Sequence, residues 1–448
     1  MRIVIIGNGI SGITAARHLR KSSDHDITVI SSESKFFYSR TALMYIYMGH
    51  MTLKNTQPYE ADFWEKNRIK LIQDHVSEVD FSSKALSFAS DRPAMNYDKL
   101  VLALGSASNK FGWPGQDLNG VGGLYSLQDL ETMDKYSNKL ERAVIVGGGL
   151  IGIEMAEMFH SRNISVSFLV REKSYWDHVL PQEESEMVNN EILDHNIDLR
   201  LETELDKIED NGQGAVGSIT TKEGQKIHCG FVGLTAGVHP NVGFLKESQL
   251  EIEKGILVDK TLLTNIQDVY AIGDCAQQRH PNDGRRGIEA IWYTGRMMGE
   301  LVAHNILNPV NPLDYNPGIW FNSAKFFNIE YQVYGNVPVD LPDHMQSLFW
   351  QDDSGKKSVR INFNQKDKSV LGFNLMGIRF RHQICERWIH HGTSVEEVLS
   401  HLELAAFDPE LYKSYEESLR AKYQKLTGQR ISQKSDRRLN RVLEFFKN

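Results

Sequence analysis

Ile3-Val4-Ile5-Ile6-Gly7-Asn8-Gly9-Ile10-Ser11-Gly12 stands almost at the start of the chain. A short β-branched run, the pattern of a buried strand, leads into G-x-G-x-x-G. A helical stretch from Ile13 to Arg20 follows, and then a second β-rich run, Ile27-Thr28-Val29-Ile30. Strand, glycine turn, helix and strand is the order that a dinucleotide-binding βαβ unit requires. Gly7 permits the tight turn, Gly9 lets the backbone approach a pyrophosphate, and Gly12 lets helix and strand pack closely. The helix N-terminus, with Ile10 and Ser11, offers free N–H groups and a partial positive charge to phosphates.

The pattern recurs. Ala143-Val144-Ile145-Val146 leads into Gly147-Gly148-Gly149-Leu150-Ile151-Gly152, with a helix expected from Ile153 to Arg162 and a strand from Ser165 to Val170. One such glycine turn is a weak signal. Two copies with correct flanks point to two bound dinucleotides, with Gly147, Gly149, Leu150, Ile151 and Gly152 holding the second.

Composition narrows the class. At roughly 150 residues per domain, 448 residues suggest about three domains. The formal net charge of -8 disfavours a general nucleic-acid binder, though it leaves room for a local basic patch. Cys229, Cys275 and Cys385 are far apart and form no C-x-x-C, so neither a disulfide framework nor a cysteine zinc site is expected. The first strand leaves no room for a targeting peptide, and no apolar run reaches about 18 residues. The expected setting is cytoplasmic, with no transmembrane segment.

Three further segments carry a family resemblance: Leu100-Val101-Leu102-Ala103-Leu104-Gly105-Ser106, Thr235-Ala236-Gly237-Val238-His239-Pro240-Asn241, and Val269-Tyr270-Ala271-Ile272-Gly273-Asp274-Cys275-Ala276. With the two glycine motifs, and in this order, they resemble the two-dinucleotide flavoproteins of the pyridine nucleotide–disulfide oxidoreductase superfamily, over about residues 1 to 335. The resemblance implies an α/β fold. Two Rossmann-like domains, one for FAD and one for NAD(P), would be followed by a C-terminal α+β domain. The implied FAD domain is discontinuous, 1–113 and 243–313, with the NAD(P) domain at 114–242 and an interface domain at 314–448. Gly7, Gly9 and Gly12 would then hold the FAD pyrophosphate. Ala103, Gly105 and Gly273 would line its site, Asp274 would accept a hydrogen bond from the ribityl chain, and Gly237 would lie on the nucleotide side. The acidic residue usual at the end of the second strand is replaced by Ser31. Glu33 either reaches the ribose from a shifted loop or is a solvated charge.

Disulfide reductases of the superfamily carry a redox cysteine in the segment that here reads Phe36-Phe37-Tyr38-Ser39-Arg40-Thr41-Ala42-Leu43-Met44-Tyr45. It contains none, and a thiolate is needed to attack a disulfide. Tyr38-x-Arg40-x-x-Leu43 instead resembles ferredoxin and rubredoxin reductases, the pyridine-nucleotide half of nitrite reductases, and apoptosis-inducing factor. Arg40 would lie against the FAD phosphates or adenine. Trp292-x-x-Gly295-x-x-x-Gly299 resembles a helix that brings a tryptophan near the flavin. Glu154 fits a glutamate that the branch commonly pairs with a lysine, but Tyr45 stands at the lysine position. A carboxylate without its cation in a partly dry site should have a raised pKa. Glu154 would orient the nicotinamide amide or bond to Tyr45. Glu154, Tyr45 and Trp292 are thus the residues expected at the reacting end.

At the ribose-reading position Val170 precedes Arg171-Glu172-Lys173. An apolar residue followed by arginine resembles NADPH users, because guanidinium matches phosphate geometry; Glu172 could reach a ribose itself. The reading favours NADPH over NADH. Met44, Met48 and Met51 form a stripe read as core, the alternative being a soft partner surface. Arg279, His280, Arg285 and Arg286 make a basic cluster, either a solvated loop or a dock for an acidic electron carrier.

Beyond Gly335 the resemblance fades. Strands are expected at Val359–Asn364 and Val370–Gly377. A helix should run from Arg381 to His391, followed by a second capped by Thr393 or Ser394. His382, His390 and His391 lack ligand partners at suitable spacing, so no metal is expected. Leu411 to Asn448 reads as helical and basic, ending in an apolar face of Leu439, Val442, Leu443, Phe445 and Phe446. It would dock on the chain itself, on a second subunit, or on a membrane surface. The reading is an FAD-dependent NAD(P)H reductase that delivers electrons to an external acceptor. A ferredoxin- or rubredoxin-like carrier is favoured, and a homodimer is allowed. Its rivals are an NAD(P)H-sensing flavoprotein with little turnover and a membrane-surface quinone reductase using residues 430–448.

Overall fold

The computed structural model describes residues 1–282, 284–407 and 414–432. The chain forms two compact units. The first is Met1–Arg171 with Ile197–Pro317; the second joins Glu172–Asn196 to the described residues from Gly318 onward. The segment 172–196, placed by the sequence within 114–242, thus clusters with the C-terminal unit.

The first unit contains two parallel sheets. In the first, Arg2–Ile6 lies between Lys99–Leu102 and Asp26–Ser31, with Val269–Ala271 and Ile69–Gln73 at the edges. Ile3, Val4, Ile5 and Ile6 are all buried, as expected of a parallel strand covered on both faces. The second sheet places Arg142–Val146 between Ser165–Leu169 and Phe231–Leu234, with Asp198–Arg200 and Val121–Gly122 outside.

Each central strand runs into its glycine turn. Gly7 and Gly147 adopt φ 112° and 116°, a backbone that side chains oppose. The helices begin earlier than the sequence suggests, at Ile10–Ser22 and Leu150–Ser161 rather than Ile13 and Ile153. Gly12 and Gly152 sit in their first turns. Glycine's poor helix propensity hides the true starts, while packing requires it there. A Cβ on Gly12 would overlap the Gly7 carbonyl, and one on Gly152 would lie 2.9 Å from Thr235 Oγ1.

A third helix, Trp292–Leu307, packs on Ile10–Ser22 through small residues. A Cβ on Gly299 would come within 2.9 Å of Thr14 Cβ. That explains the Gly295-x-x-x-Gly299 spacing after Trp292. Met44 and Tyr47 are buried as the core reading expects, but Met51 is exposed.

The second unit is a five-stranded antiparallel sheet in the order Phe321–Phe326, Ile329–Gly335, Val370–Met376, Ser358–Asn364, Met345–Gln351. Val359, Ile361, Phe363, Phe373 and Leu375 alternate onto one core. Arg360, pointing the other way, grips helix Gln182–Asp194. It donates to Glu184 at 2.8 Å through Nε and again through Nη2, and to Glu183 at 2.7 Å.

The helix expected over 381–391 spans His382–His390, and Gly392 at φ 59° ends it. Ser394, not Thr393, caps Val395–Ser400, accepting from the Glu397 N–H. Of the tail, Glu416–Thr427 is helical and buries Leu419 and Tyr423 in this unit's own core. Its apolar end at 439–446 lies outside the described residues. Among those described, no three His, Cys, Asp or Glu side chains gather as a metal site, and no helix is long and apolar enough to cross a membrane.

Candidate functional site

The first glycine loop opens onto a cavity of about 860 Å³, within the size range of ligand pockets. Gly7, Gly9, Ile10 and Ser11 form one wall; Ala103, Gly105, Gly273 and Asp274 form another. These residues follow the carboxyl ends of three parallel strands, Arg2–Ile6, Lys99–Leu102 and Val269–Ala271, where open α/β sheets place their ligands. Gly9 has φ -68°, and a Cβ built on it meets no protein atom within 4 Å. Its backbone is therefore bare toward the cavity, as a loop that receives phosphates must be. Gly12 does not line the cavity; its role is packing.

Asp274 is half-buried on this wall. Ser106 Oγ donates to its Oδ2 at 3.1 Å and Tyr125 OH at 3.2 Å. Burial pushes its carboxyl up from the ordinary range, and the two hydroxyls oppose that only in part. Neither Tyr125 nor Ser106 was singled out from sequence as a contact of Asp274. Both are remote from it along the chain, and only the Ser126/Asp129 capping box marks the neighbourhood of Tyr125.

Glu33 and Arg40 line the same cavity and bond to each other. Arg40 donates to Glu33 at 2.6 and 3.1 Å, Tyr38 OH donates to Glu33, and the Leu127 N–H donates at 2.9 Å. Glu33 is therefore not a solvated charge. Burial alone would raise its pKa, but Arg40, Tyr38 and Leu127 outweigh burial and hold it below the usual carboxylate range. The Arg40 guanidinium also donates to the Tyr125 carbonyl and lies 4.5 Å from the Tyr125 ring centre. Tyr125 thus stands between the two acids, its carbonyl accepting from Arg40 and its hydroxyl donating to Asp274.

The second glycine loop meets the cavity through its helix. Leu150, Ile151 and Glu154 line it, as do Ile10 and Trp292. Gly147, Gly149, Gly152, Gly237 and Arg171 do not. Gly149, like Gly9, presents open space to a Cβ. Val170 is buried and sits 2.8 Å from where a Gly148 Cβ would fall, which leaves the exposed Arg171 as the next side chain at the strand end.

Tyr45 does not reach the cavity and makes no hydrogen bond to Glu154. The short helix Leu43–Tyr47 turns Leu43, Met44 and Tyr47 inward, and Tyr45 instead lies near His50, with ring centres 6.2 Å apart. The bond to Tyr45, one of the two alternatives for Glu154, is absent for that reason. Glu154 has no ion-pair or hydrogen-bond partner among the described residues. Burial, and secondarily the like charge of Glu157, push its carboxyl up to about 7.

Cys275, beside Asp274, is packed in the core with its Sγ 3.3 Å from the Leu104 nitrogen. Burial pushes the Cys275 and Cys229 thiols up to about 12, and Cys385 is raised well above its ordinary value. None of the three lines the cavity. The basic cluster is largely neutralised: Arg279 pairs with Glu251, and Arg285 lies 2.5 Å from Glu289. Arg286 and His280 remain exposed.

Two Rossmann-like glycine loops that converge on one cavity define a two-dinucleotide flavoprotein-like fold. Residues 1–299 match the family described as pyridine nucleotide-disulphide oxidoreductase, and the chain belongs to that family. It is 28% identical over 281 residues to the nitrite reductase [NAD(P)H] of Bacillus subtilis, covering 62% of this chain but 34% of that protein. The chain thus spans about a third of that relative's length. It is 31% identical over 285 residues to the NADH-rubredoxin oxidoreductase of Clostridium acetobutylicum, covering 63% and 70%. Among solved structures, an NAD-dependent persulfide reductase from A. fulgidus superimposes with TM-score 0.82 at 21% identity, over 96% of this chain and 84% of that one. At that identity the likeness is one of fold.

Proposed function

We propose that this protein is an FAD-dependent NAD(P)H oxidoreductase that passes electrons to an external acceptor. The observation that carries the reading is convergence: Leu150, Ile151 and Glu154, from the second glycine loop's helix, line the same cavity as the first glycine loop. Two dinucleotides held on the two loops would bring their reactive ends together there.

The residues fit FAD. Gly9 bares its backbone, the cavity is large enough, and Asp274 offers a carboxylate preset by two hydroxyls. When bound, the flavin would supply hydride acceptance from nicotinamide and onward electron transfer. The chain's part is to bind, orient and exclude water. Gly7, Gly9, Ile10 and Ser11 would receive the pyrophosphate on a helix N-terminus. Asp274 would accept from the ribityl hydroxyls, while Arg40, fixed by Glu33, would offer its remaining donors to the adenosine phosphates. Trp292 would wall the reacting end and Glu154 would face the nicotinamide amide. Ala103, Gly105 and Gly273 would admit the flavin closely.

On this reading residues 1–113 and 243–313 form the FAD domain, 114–242 the NAD(P) domain and 314–448 an interface domain. Gly147, Gly149, Gly152 and Gly237 would hold the nicotinamide dinucleotide. Arg171 beside the buried Val170 supports NADPH over NADH. The absence of a cysteine from the cavity lining supports an external acceptor, and the likeness to an NADH-rubredoxin oxidoreductase supports a rubredoxin- or ferredoxin-like carrier. Three unpaired buried cysteines support a cytoplasmic setting. A homodimer through the C-terminal domain belongs to the same reading, and sedimentation of the FAD-loaded protein tests it.

The central test is anaerobic stopped-flow absorbance of FAD-loaded protein with NADPH and with NADH. Fast bleaching by one of them is expected. Slow bleaching by both, with a persistent charge-transfer band, would replace the reductase by a nucleotide sensor.

A further inference from the structure

Four carboxylates line the cavity with very different support, and one of them, Asp74, is held by Ser90, Arg92 and the His75 N–H. Glu33 is saturated by Arg40, Tyr38 and the Leu127 N–H. Asp274 is held by Ser106 and Tyr125. Glu154 has neither a cation nor a donor among the described residues, so its carboxyl is left to whatever enters the cavity. On its own helix the next acid is Glu157, a like charge, followed by His160. The strand Arg142–Val146, packed on that helix, carries Arg142, and the strands Ser165–Leu169 and Phe231–Leu234 carry no charge. The helix Leu43–Tyr47 brings only the phenols of Tyr45 and Tyr47. The same cavity is lined by Glu33, Arg40, Asp74, His75 and Asp274.

A half-buried carboxyl in this position, desolvated by its surroundings, holds its proton to a higher pH than an ordinary glutamate, about 7 here. The two redox forms of a nicotinamide differ in charge at the ring: the oxidised ring is a cation and the dihydro ring is neutral. An ionised carboxylate in a partly dry site separates those two forms, and a protonated one does not.

We propose that Glu154 makes nucleotide affinity depend jointly on pH and on the redox state of the ring, its ionised form holding the oxidised cation and its protonated form releasing it. The inference rests on the reading that the nicotinamide end lies in this cavity. The step is a simple exchange: binding of the cationic ring expels the Glu154 proton to solvent, and no electrons move. Binding of the oxidised form must then strengthen as pH rises through the Glu154 equilibrium, because the proton that competes with the ring is lost. The neutral form gains nothing from ionisation, so its affinity stays level or falls. Product release is thereby faster on the acid side, and product inhibition stronger on the alkaline side.

Isothermal titration of the FAD-loaded protein with NAD⁺ and with 1,4,5,6-tetrahydro-NAD tests this. The latter has a neutral ring and transfers no hydride, and neither probe carries a 2′-phosphate that titrates in the range. Between about pH 6 and pH 8 the NAD⁺ affinity should rise about tenfold relative to the tetrahydro form, the change transmitted by a tenfold displacement of the proton equilibrium. Two buffers of different ionisation enthalpy should report proton release on NAD⁺ binding near pH 7. Glu154→Gln should bind both probes with a ratio independent of pH and release no proton, whereas a His75 contribution would survive in that variant. A flat ratio in the wild type, or the same pH dependence in Glu154→Gln, overturns the proposal while nucleotide still binds and NADH still bleaches the flavin. Failure of both probes to bind, together with no bleaching by NADH, overturns the reading of the site and the proposal with it.

Discussion

The two outer glycines of the first loop and the middle one do different work, and single alanines separate them. At Gly12 a Cβ would overlap the Gly7 carbonyl and lie 3.2 Å from Ile5 Cγ2. The overlapping atom is backbone, fixed by a parallel sheet, so it yields less readily than a side chain. Overpacking of this kind costs about 1–3 kcal/mol, and the upper end applies against rigid backbone. Gly12 lies in a helix, however, where alanine is favoured over glycine by about 1 kcal/mol. A net loss of about 2 kcal/mol is expected, or roughly 4–8 °C in melting temperature for a unit of this size. Gly9 is the opposite case: its φ of -68° suits alanine and its Cβ meets nothing. Gly9→Ala should leave the apoprotein within about 0.5 kcal/mol of wild type. It should still weaken FAD binding by at least about tenfold, since the methyl group keeps the phosphate from charge-assisted N–H bonds worth about 1.5–3 kcal/mol. Thermal unfolding of the apoproteins by circular dichroism and FAD titration by fluorescence quenching provide the two readouts. An apo Gly9→Ala as unstable as Gly12→Ala, or a Gly12→Ala as stable as wild type, would refute the division of labour.

Further outcomes follow from the ion pairs and the thiols. Arg360→Ala leaves Glu184 buried without its cation and should cost about 3–5 kcal/mol by denaturant unfolding; Arg360→Met with Glu184→Met should recover most of that. Glu33 has a depressed pKa in the folded chain, so its contribution is present above the usual carboxylate range and is lost as pH falls through the depressed value. In Arg40→Ala burial is unopposed by that cation and the pKa rises instead. The stability gap between wild type and Arg40→Ala should therefore be widest near neutrality and shrink toward about pH 4, as thermal scans across pH would show. The three buried thiols should resist Ellman's reagent until the protein is unfolded, and rapid native labelling of Cys275 would contradict its burial.

Much of this was legible in local sequence because a parallel strand feeding a glycine turn is determined by neighbours. Ile3–Ile6 and Ala143–Val146 have to be buried strands, and the turn residues after them have to be glycine. The same holds for Gly295 and Gly299, whose spacing announces a close helix contact. What depended on distant residues was hidden. Glu33 looked equally like a ribose ligand and a surface charge, because its partner Arg40 is separated from it by a loop whose path sequence does not specify. Tyr125 is far from Asp274 along the chain and carries no motif. Tyr45 was placed beside Glu154 by alignment to a pattern, yet in a helix as short as Leu43–Tyr47 the inward positions go to Leu43, Met44 and Tyr47. The basic cluster at 279–286 was overcounted because Glu251 and Glu289, which neutralise two of its arginines, could not be matched to it from sequence.

The unequal support of the four cavity acids suggests how the two ligands differ in residence. Along the wall that would carry FAD, each acid is satisfied by the chain itself: Glu33 by Arg40 and Tyr38, Asp274 by Ser106 and Tyr125. Such a wall is complete before its ligand arrives, so binding there costs little reorganisation, and a preorganised site suits a ligand that stays. Glu154, at the end reached by the second loop's helix, has no internal partner. A half-buried carboxyl with no protein partner leaves its charge to be set by what enters. No thiol stands at this cavity to take electrons onward. On the proposed function the nucleotide would depart and an outside acceptor approach, and the one cavity acid without a partner among the described residues lines the cavity where that exchange would occur.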